Sequence, residues 1–219
     1  MRKKIAIIVG GCGHKDGSEI HETTMTMLAV AKQGADYQLF APDREQYHVL
    51  NHLTGEVMNE KRNLLIEAAR IARGNILPLE KFNVENFDAV IFPGGFGVAK
   101  NFFDYALKGV DCQVDTEIAS IIKSTHAAQK PIGALCISPV LIAKVIDNVT
   151  ITIGKDAATA SDIQTMGSKN INADYNDVVI DRKNKIFSTP CYMLNVDIAQ
   201  IAEGAENLVK AILENISSN

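Results

Sequence analysis

Three segments put reactive or anion-binding groups where an apolar run gives way to a turn. In Pro131-Ile132-Gly133-Ala134-Leu135-Cys136-Ile137-Ser138-Pro139 a short apolar stretch ends at a cysteine, and a second apolar stretch, Pro139–Ile146, follows at once. That pattern predicts a strand, a sharp elbow carrying the thiol, and a helix. A thiol at a helix N-terminus is expected to be acidified by the helix dipole; a buried packing cysteine is the competing reading. Pro93-Gly94-Gly95-Phe96-Gly97 follows the apolar run Ala89–Phe92. Paired glycines let backbone N–H groups close around an anion, or simply make a tight turn.

The third segment, Gly10-Gly11-Cys12-Gly13-His14-Lys15-Asp16-Gly17-Ser18-Glu19-Ile20-His21-Glu22, is glycine-rich and then acidic. A dinucleotide fingerprint fails on spacing, because Asp16 stands where a third small residue is needed. Asp16, Glu19 and Glu22 would also repel a pyrophosphate. Cys12, directly after the first apolar run, is a candidate to line the same pocket as Cys136. Thiol acidity by itself contributes little: lowering a thiol from pKa ~8.5 to ~5.5 gains about 30-fold in thiolate at pH 7. The same shift loses roughly 20-fold in nucleophilicity. An aimed oxyanion donor, worth ~3–4 kcal/mol, matters more.

The elements that position these loops alternate. Ile5–Gly10, Tyr37–Phe40, Ala89–Phe92, Ile132–Leu135, Val149–Ile153 and Val178–Ile180 read as buried strands. Helical stretches separate them: Ile20–Gln33, Glu60–Arg73 and Asp162–Met166, each stopped by a glycine, then Thr116–Gln129 before Pro131, and a last one over Asn195–Ile216. Asp181–Lys185 makes a late hairpin turn to Ile186–Ser188, the one antiparallel excursion expected. Alternation of this kind predicts an α/β three-layer sandwich with a mainly parallel central sheet and ligands beyond the strands' carboxyl ends. A single domain over 1–219 is expected.

Composition fits that picture. Of 219 residues 47% are apolar, and the net charge of −4 argues against a nucleic-acid or anionic-membrane partner. No apolar run approaches the roughly 18–20 residues of a bilayer span. Five apolar residues after Met1-Arg2-Lys3-Lys4 are too few for a signal peptide. Cys12, Cys112, Cys136 and Cys191 show no metal-ligand or CxxC spacing, so a cytoplasmic protein without metal or cofactor is expected. Cys112 and Cys191 read as packing or surface thiols.

Taken together, Gly11-Cys12-Gly13, Asp16–Glu22, Phe40-Ala41-Pro42-Asp43, Pro93–Gly97 with Ala99-Lys100-Asn101, and Pro131-Ile132-Gly133 leading to Cys136 resemble the ElbB glyoxalase family. Asn51–Gly55, Arg62-Asn63, Glu67–Arg70, and Thr189-Pro190 with Tyr192-Met193 fit as well. The family lies in the DJ-1/PfpI superfamily, so the resemblance implies a flavodoxin-like fold related to class I glutamine amidotransferases, and a homodimer. It further implies a glyoxalase III-type hydro-lyase that converts glyoxal, with methylglyoxal as second candidate, to the 2-hydroxy acid, or acts as a protein deglycase. Carried over, the nucleophile falls on Cys136 and the oxyanion donors on the Gly94-Gly95 loop, through the Gly95 amide, and on the Ile137 amide. Counting back from Gly34 favours Glu22 as the acid on the thiol, with Glu19 as the alternative. All five histidines precede Cys136, so an amidotransferase triad cannot form in its usual order. The alternatives to an enzyme are an oxidation sensor, a chaperone-like protein, or a catalytically weak binding module.

Overall fold

The computed structural model describes residues 2–217. Met1 and residues 218–219, the ends of the expected domain, lie outside the described residues. In chain order the strands are β1 (Lys4–Ile8), β2 (Asp36–Ala41), β3 (Val49–Leu50), β4 (Val57–Met58), β5 (Ile76–Pro78) and β6 (Ala89–Phe92). They continue with β7 (Ile132–Leu135), β8 (Thr150–Ile151), β9 (Lys169–Asn170), β10 (Val179–Asp181) and β11 (Ile186–Thr189). The helices are α1 (Ile20–Lys32), α2 (Leu64–Ile71), α3 (Val98–Asn101), α4 (Tyr105–Lys108), α5 (Thr116–Ala127), α6 (Ser138–Val145), α7 (Ala157–Thr165) and α8 (Ile198–Ser217).

Seven strands make the central sheet in the order β10-β11-β7-β6-β1-β2-β5. Every neighbouring pair is parallel except β10 with β11. The inner strands β1, β6 and β7 are apolar nearly throughout because helices cover the sheet on both faces. Chain order moves outward one way from β1 to β2 and the other way from β6 to β7. The crevice above β1 and β6 is therefore the switch point at which such sheets bind ligands.

Four expectations need correction. A second antiparallel pair, β3 with β4, lies between β2 and α2. The run Val149–Ile153 stays out of the central sheet: its Thr150–Ile151 pairs with β9 in a separate parallel ladder, since the β10–β11 hairpin already holds the sheet edge. Helix α2 begins at Leu64, where Asn63 accepts from the Leu65 and Ile66 amides; Glu60–Arg62 are outside it. Helix α7 begins five residues early, capped by Asp156 on the Thr159 amide.

Candidate active site

Three loops meet above the switch point and are fastened by backbone hydrogen bonds. The Glu19 amide donates to the Gly94 carbonyl (2.9 Å), and the Gly97 amide donates to the His14 carbonyl (3.0 Å). Ser138, the first residue of α6, donates its hydroxyl to the Pro93 carbonyl (2.8 Å), tying the elbow to the Gly94-Gly95 loop. In the first loop the Ser18 hydroxyl accepts from the Gly10 amide (2.8 Å).

Cys136 sits at the elbow with φ +59, a left-handed conformation that costs a non-glycine residue on the order of 1–3 kcal/mol. The structure keeps that cost because the turn lifts the thiol from the end of β7 while its own amide still donates to the Thr189 carbonyl (3.0 Å). Only 7% of the residue is exposed. The amides of Gly95 and Ile137 hydrogen-bond the sulfur, and the Glu22 side chain hydrogen-bonds it too.

Glu22 settles which acid reaches the thiol. It lies on the first turn of α1, fully buried, and accepts from the Gly94 amide (2.9 Å) and the Tyr192 amide (3.3 Å). Glu19 plays a different part as N-cap of α1: its carboxylate accepts from the Glu22 amide (2.7 Å) and fixes the turn that carries Glu22. Glu19 also lines the cavity in front of Cys136.

Burial pushes the Glu22 carboxyl up to about 8, with the Glu19 charge adding to the effect and hydrogen bonds from Cys136, Tyr192 and Gly94 opposing it. The Cys136 thiol is pushed well above its ordinary value by burial and by the Glu22 charge, against the pull of the Gly95 and Ile137 amides. The expected acidic thiol is thus corrected. The N-terminus of α6 does favour the thiolate, but desolvation and a carboxylate in hydrogen-bonding contact outweigh a dipole worth at most ~2 kcal/mol. Both shifts favour the protonated forms, so thiol and carboxyl make a coupled, buried acid pair in hydrogen-bonding contact. Alkylation of Cys136 should consequently be slow at pH 6–7 and climb steeply beyond pH 8. A rate already maximal at pH 6 would overturn this account.

The sulfur opens onto a cavity of about 720 Å³. Phe96, Tyr105, Tyr192 and Met193 supply apolar wall, and His14 and His21 supply ring nitrogens. His21 Nδ1 lies 2.8 Å from the Tyr192 hydroxyl. Cys12, expected to line this pocket, does not. It is partly exposed among Glu67, Arg70, Asp16 and Arg62, and burial together with the Glu67 charge pushes its thiol up. Cys191, read from sequence as a packing or surface thiol, is buried, and it lies in the electrostatic reach of Glu22 and Cys136. Its position follows from register: β11 pairs Thr189 with Leu135, so both chains leave the sheet side by side.

No family profile matches the chain. The ES1 protein homolog, mitochondrial, of Rattus norvegicus is 41% identical over 223 residues, covering 97% of this chain and 84% of that protein. The chain belongs to the ES1 family. A human member, glutamine amidotransferase-like class 1 domain-containing protein 3, mitochondrial, is 41% identical over 96% of this chain and 82% of its own length. Among solved structures, an isoprenoid biosynthesis protein with an amidotransferase-like domain from Ehrlichia chaffeensis superposes with TM-score 0.90 at 35% identity, over 97% of this chain and 99% of that one. DJ-1beta of Drosophila melanogaster shares the fold alone, with TM-score 0.57 at 14% identity over 100% of this chain and 97% of that one. The ES1 relatives carry mitochondrial in their names, which corrects the cytoplasmic expectation. Scattered free thiols indicate only a reducing setting and do not choose between compartments. Among the described residues no helix is long and apolar enough to cross a membrane.

Proposed function

We propose that this ES1 family chain is a cofactor-independent glyoxalase of the ElbB type, converting glyoxal, and methylglyoxal as its homologue, to the 2-hydroxy acid. One observation carries the reading: a thiol hydrogen-bonded to a buried carboxyl and met by two converging amides. Cys136 adds to one aldehyde carbon while the new oxygen takes a proton, giving a hemithioacetal held by the Gly95 and Ile137 amides. Glu22 in its carboxylate form removes the hydrogen from that carbon and returns it to the neighbouring carbon through an enediol. The first carbon is oxidised to a thioester and the second reduced to an alcohol, so no external electrons are needed. Water cleaves the thioester, releasing glycolate and the Cys136 thiol. The same adduct chemistry on glycated amines or thiols would give deglycase activity.

A carboxyl whose pKa is near 8 suits this role, since it both accepts and returns a proton near neutrality. A peroxide sensor needs an accessible, acidic thiol. Cys136 opens onto a cavity, but its thiol is pushed up rather than acidified, which favours the enzyme over the sensor. Glycolate formation from glyoxal should fall at least ~100-fold in Cys136→Ala, the scale expected for losing a covalent nucleophile. Equal rates for wild type and variant would end the proposal.

A further inference from the structure

Glyoxal has four non-hydrogen atoms, and the cavity before Cys136 is far larger than that. Its volume of about 720 Å³ falls within the roughly 300–1,000 Å³ of sites that enclose drug-sized ligands. The reacting carbonyl needs only the corner formed by Cys136, Gly95 and Ile137. The apolar part of the remaining wall is Phe96, Tyr105, Tyr192 and Met193, rings and a thioether that have no part in moving the proton.

Its charge is one-sided. Among the described residues, Glu19 and Asp156 line the cavity beside His14 and His21, and no lysine or arginine does. Asp156 is held below the usual carboxylate range by hydrogen bonds from Thr159 and stays ionised. Phe96, 52% exposed, carries the Lys100 ammonium 4.4 Å from its ring centroid, so that cation position is filled and the charge a ligand cation would meet comes from Glu19 and Asp156. Tyr105 is fixed by donating its hydroxyl to Asp162 (2.6 Å), so that ring is a rigid wall.

Resting on the glyoxalase reading, we infer that the site selects α-oxoaldehydes bearing an aromatic or comparably bulky apolar substituent, neutral or cationic, over glyoxal and over anionic analogues. The non-reacting substituent spends its binding energy in the apolar wall and orients the carbonyl at the elbow. An anionic substituent meets Glu19 and Asp156.

The test compares kcat/KM for glyoxal, phenylglyoxal, and phenylglyoxals carrying a para-trimethylammonium or a para-carboxylate. Phenylglyoxal and its cationic derivative should exceed glyoxal by about tenfold or more, the scale of apolar discrimination. The cationic derivative should exceed the carboxylate by about fivefold or more. Phe96→Ala should shrink the aryl-to-glyoxal ratio. Asp156→Asn, which keeps a helix cap, should narrow the gap between cation and anion. Glyoxal handled as well as phenylglyoxal, or ratios unmoved by both variants, would overturn the inference. If wild type turns over no dicarbonyl, the glyoxalase reading falls on its own. Calorimetry on Cys136→Ser then decides the pocket: benzyltrimethylammonium should bind more tightly than benzoate and weaken in a Phe96→Ala background. Absent or equal binding of the two would refute it.

Discussion

Glu22→Gln is expected to yield a protein that is nearly inactive and, at neutral pH, more stable than wild type. Loss of a positioned acid–base group costs typically 10²–10⁴ in rate, and Gln cannot move a proton between adjacent carbons. The stability gain follows from burial. With its carboxyl at about 8 in the folded chain against an ordinary 4.5, Glu22 contributes most to stability below pH 4.5, where both states hold the proton. Between those values only the unfolded state releases it, so rising pH favours unfolding by ~1.4 kcal/mol per unit, about 3 kcal/mol at pH 7. Gln removes that penalty but keeps one oxygen for the two amides of Gly94 and Tyr192. Losing the longer contact returns about 1 kcal/mol. Urea unfolding at pH 5 and pH 7.5 reads the result: the variant should gain on wild type by roughly 2–3 kcal/mol between those values. A pH-independent difference, or glycolate formation at wild-type rate, would sink the assignment.

The parts of the molecule visible in the sequence are those fixed locally. Ala89–Phe92 and Ile132–Leu135 are strands at the expected residues because a short apolar run between turn formers has few other ways to bury itself. Cys136 and the Gly94-Gly95 pair sit in loops directly after such strands, so alternation alone brings them together. Other elements carry weaker signals. Strand β5 has three half-exposed or exposed residues ending in Pro78, and β3 and β4 have two residues each. The Ala-Ala-Thr-Ala opening of α7 lacks an apolar stripe to reveal the cap at Asp156. Tyr105, Asp156 and Tyr192 come from three separate elements, and only tertiary packing makes them one cavity wall. Thiol acidity misled for a related reason: the helix end is legible in sequence, whereas the burial that outweighs it is not.

Gly95→Ala should cost activity at least 10²–10³-fold, the worth of one oxyanion donor, together with stability. Gly95 has φ +114, outside even the left-handed basin that other residues visit. A Cβ there would lie 2.6 Å from the Glu19 amide nitrogen and 2.6 Å from the Gly17 carbonyl oxygen. Both neighbours are backbone, so neither can swing aside. The loops must separate, which pulls the Gly95 amide from the sulfur and strains the contact between the Glu19 amide and the Gly94 carbonyl (2.9 Å). Because Glu19 caps α1 and α1 carries Glu22, donor and proton carrier are displaced together. Gly34 provides the control. Its φ is also positive, at +72, yet a Cβ would meet nothing within 4 Å. Gly34→Ala should therefore show only the ordinary backbone cost of about 1 kcal/mol with turnover intact. Thermal unfolding and glyoxal turnover measured on both variants separate the effects. Equal losses of turnover would mean that Gly95 matters only for its conformation and that its amide does not hold the oxyanion.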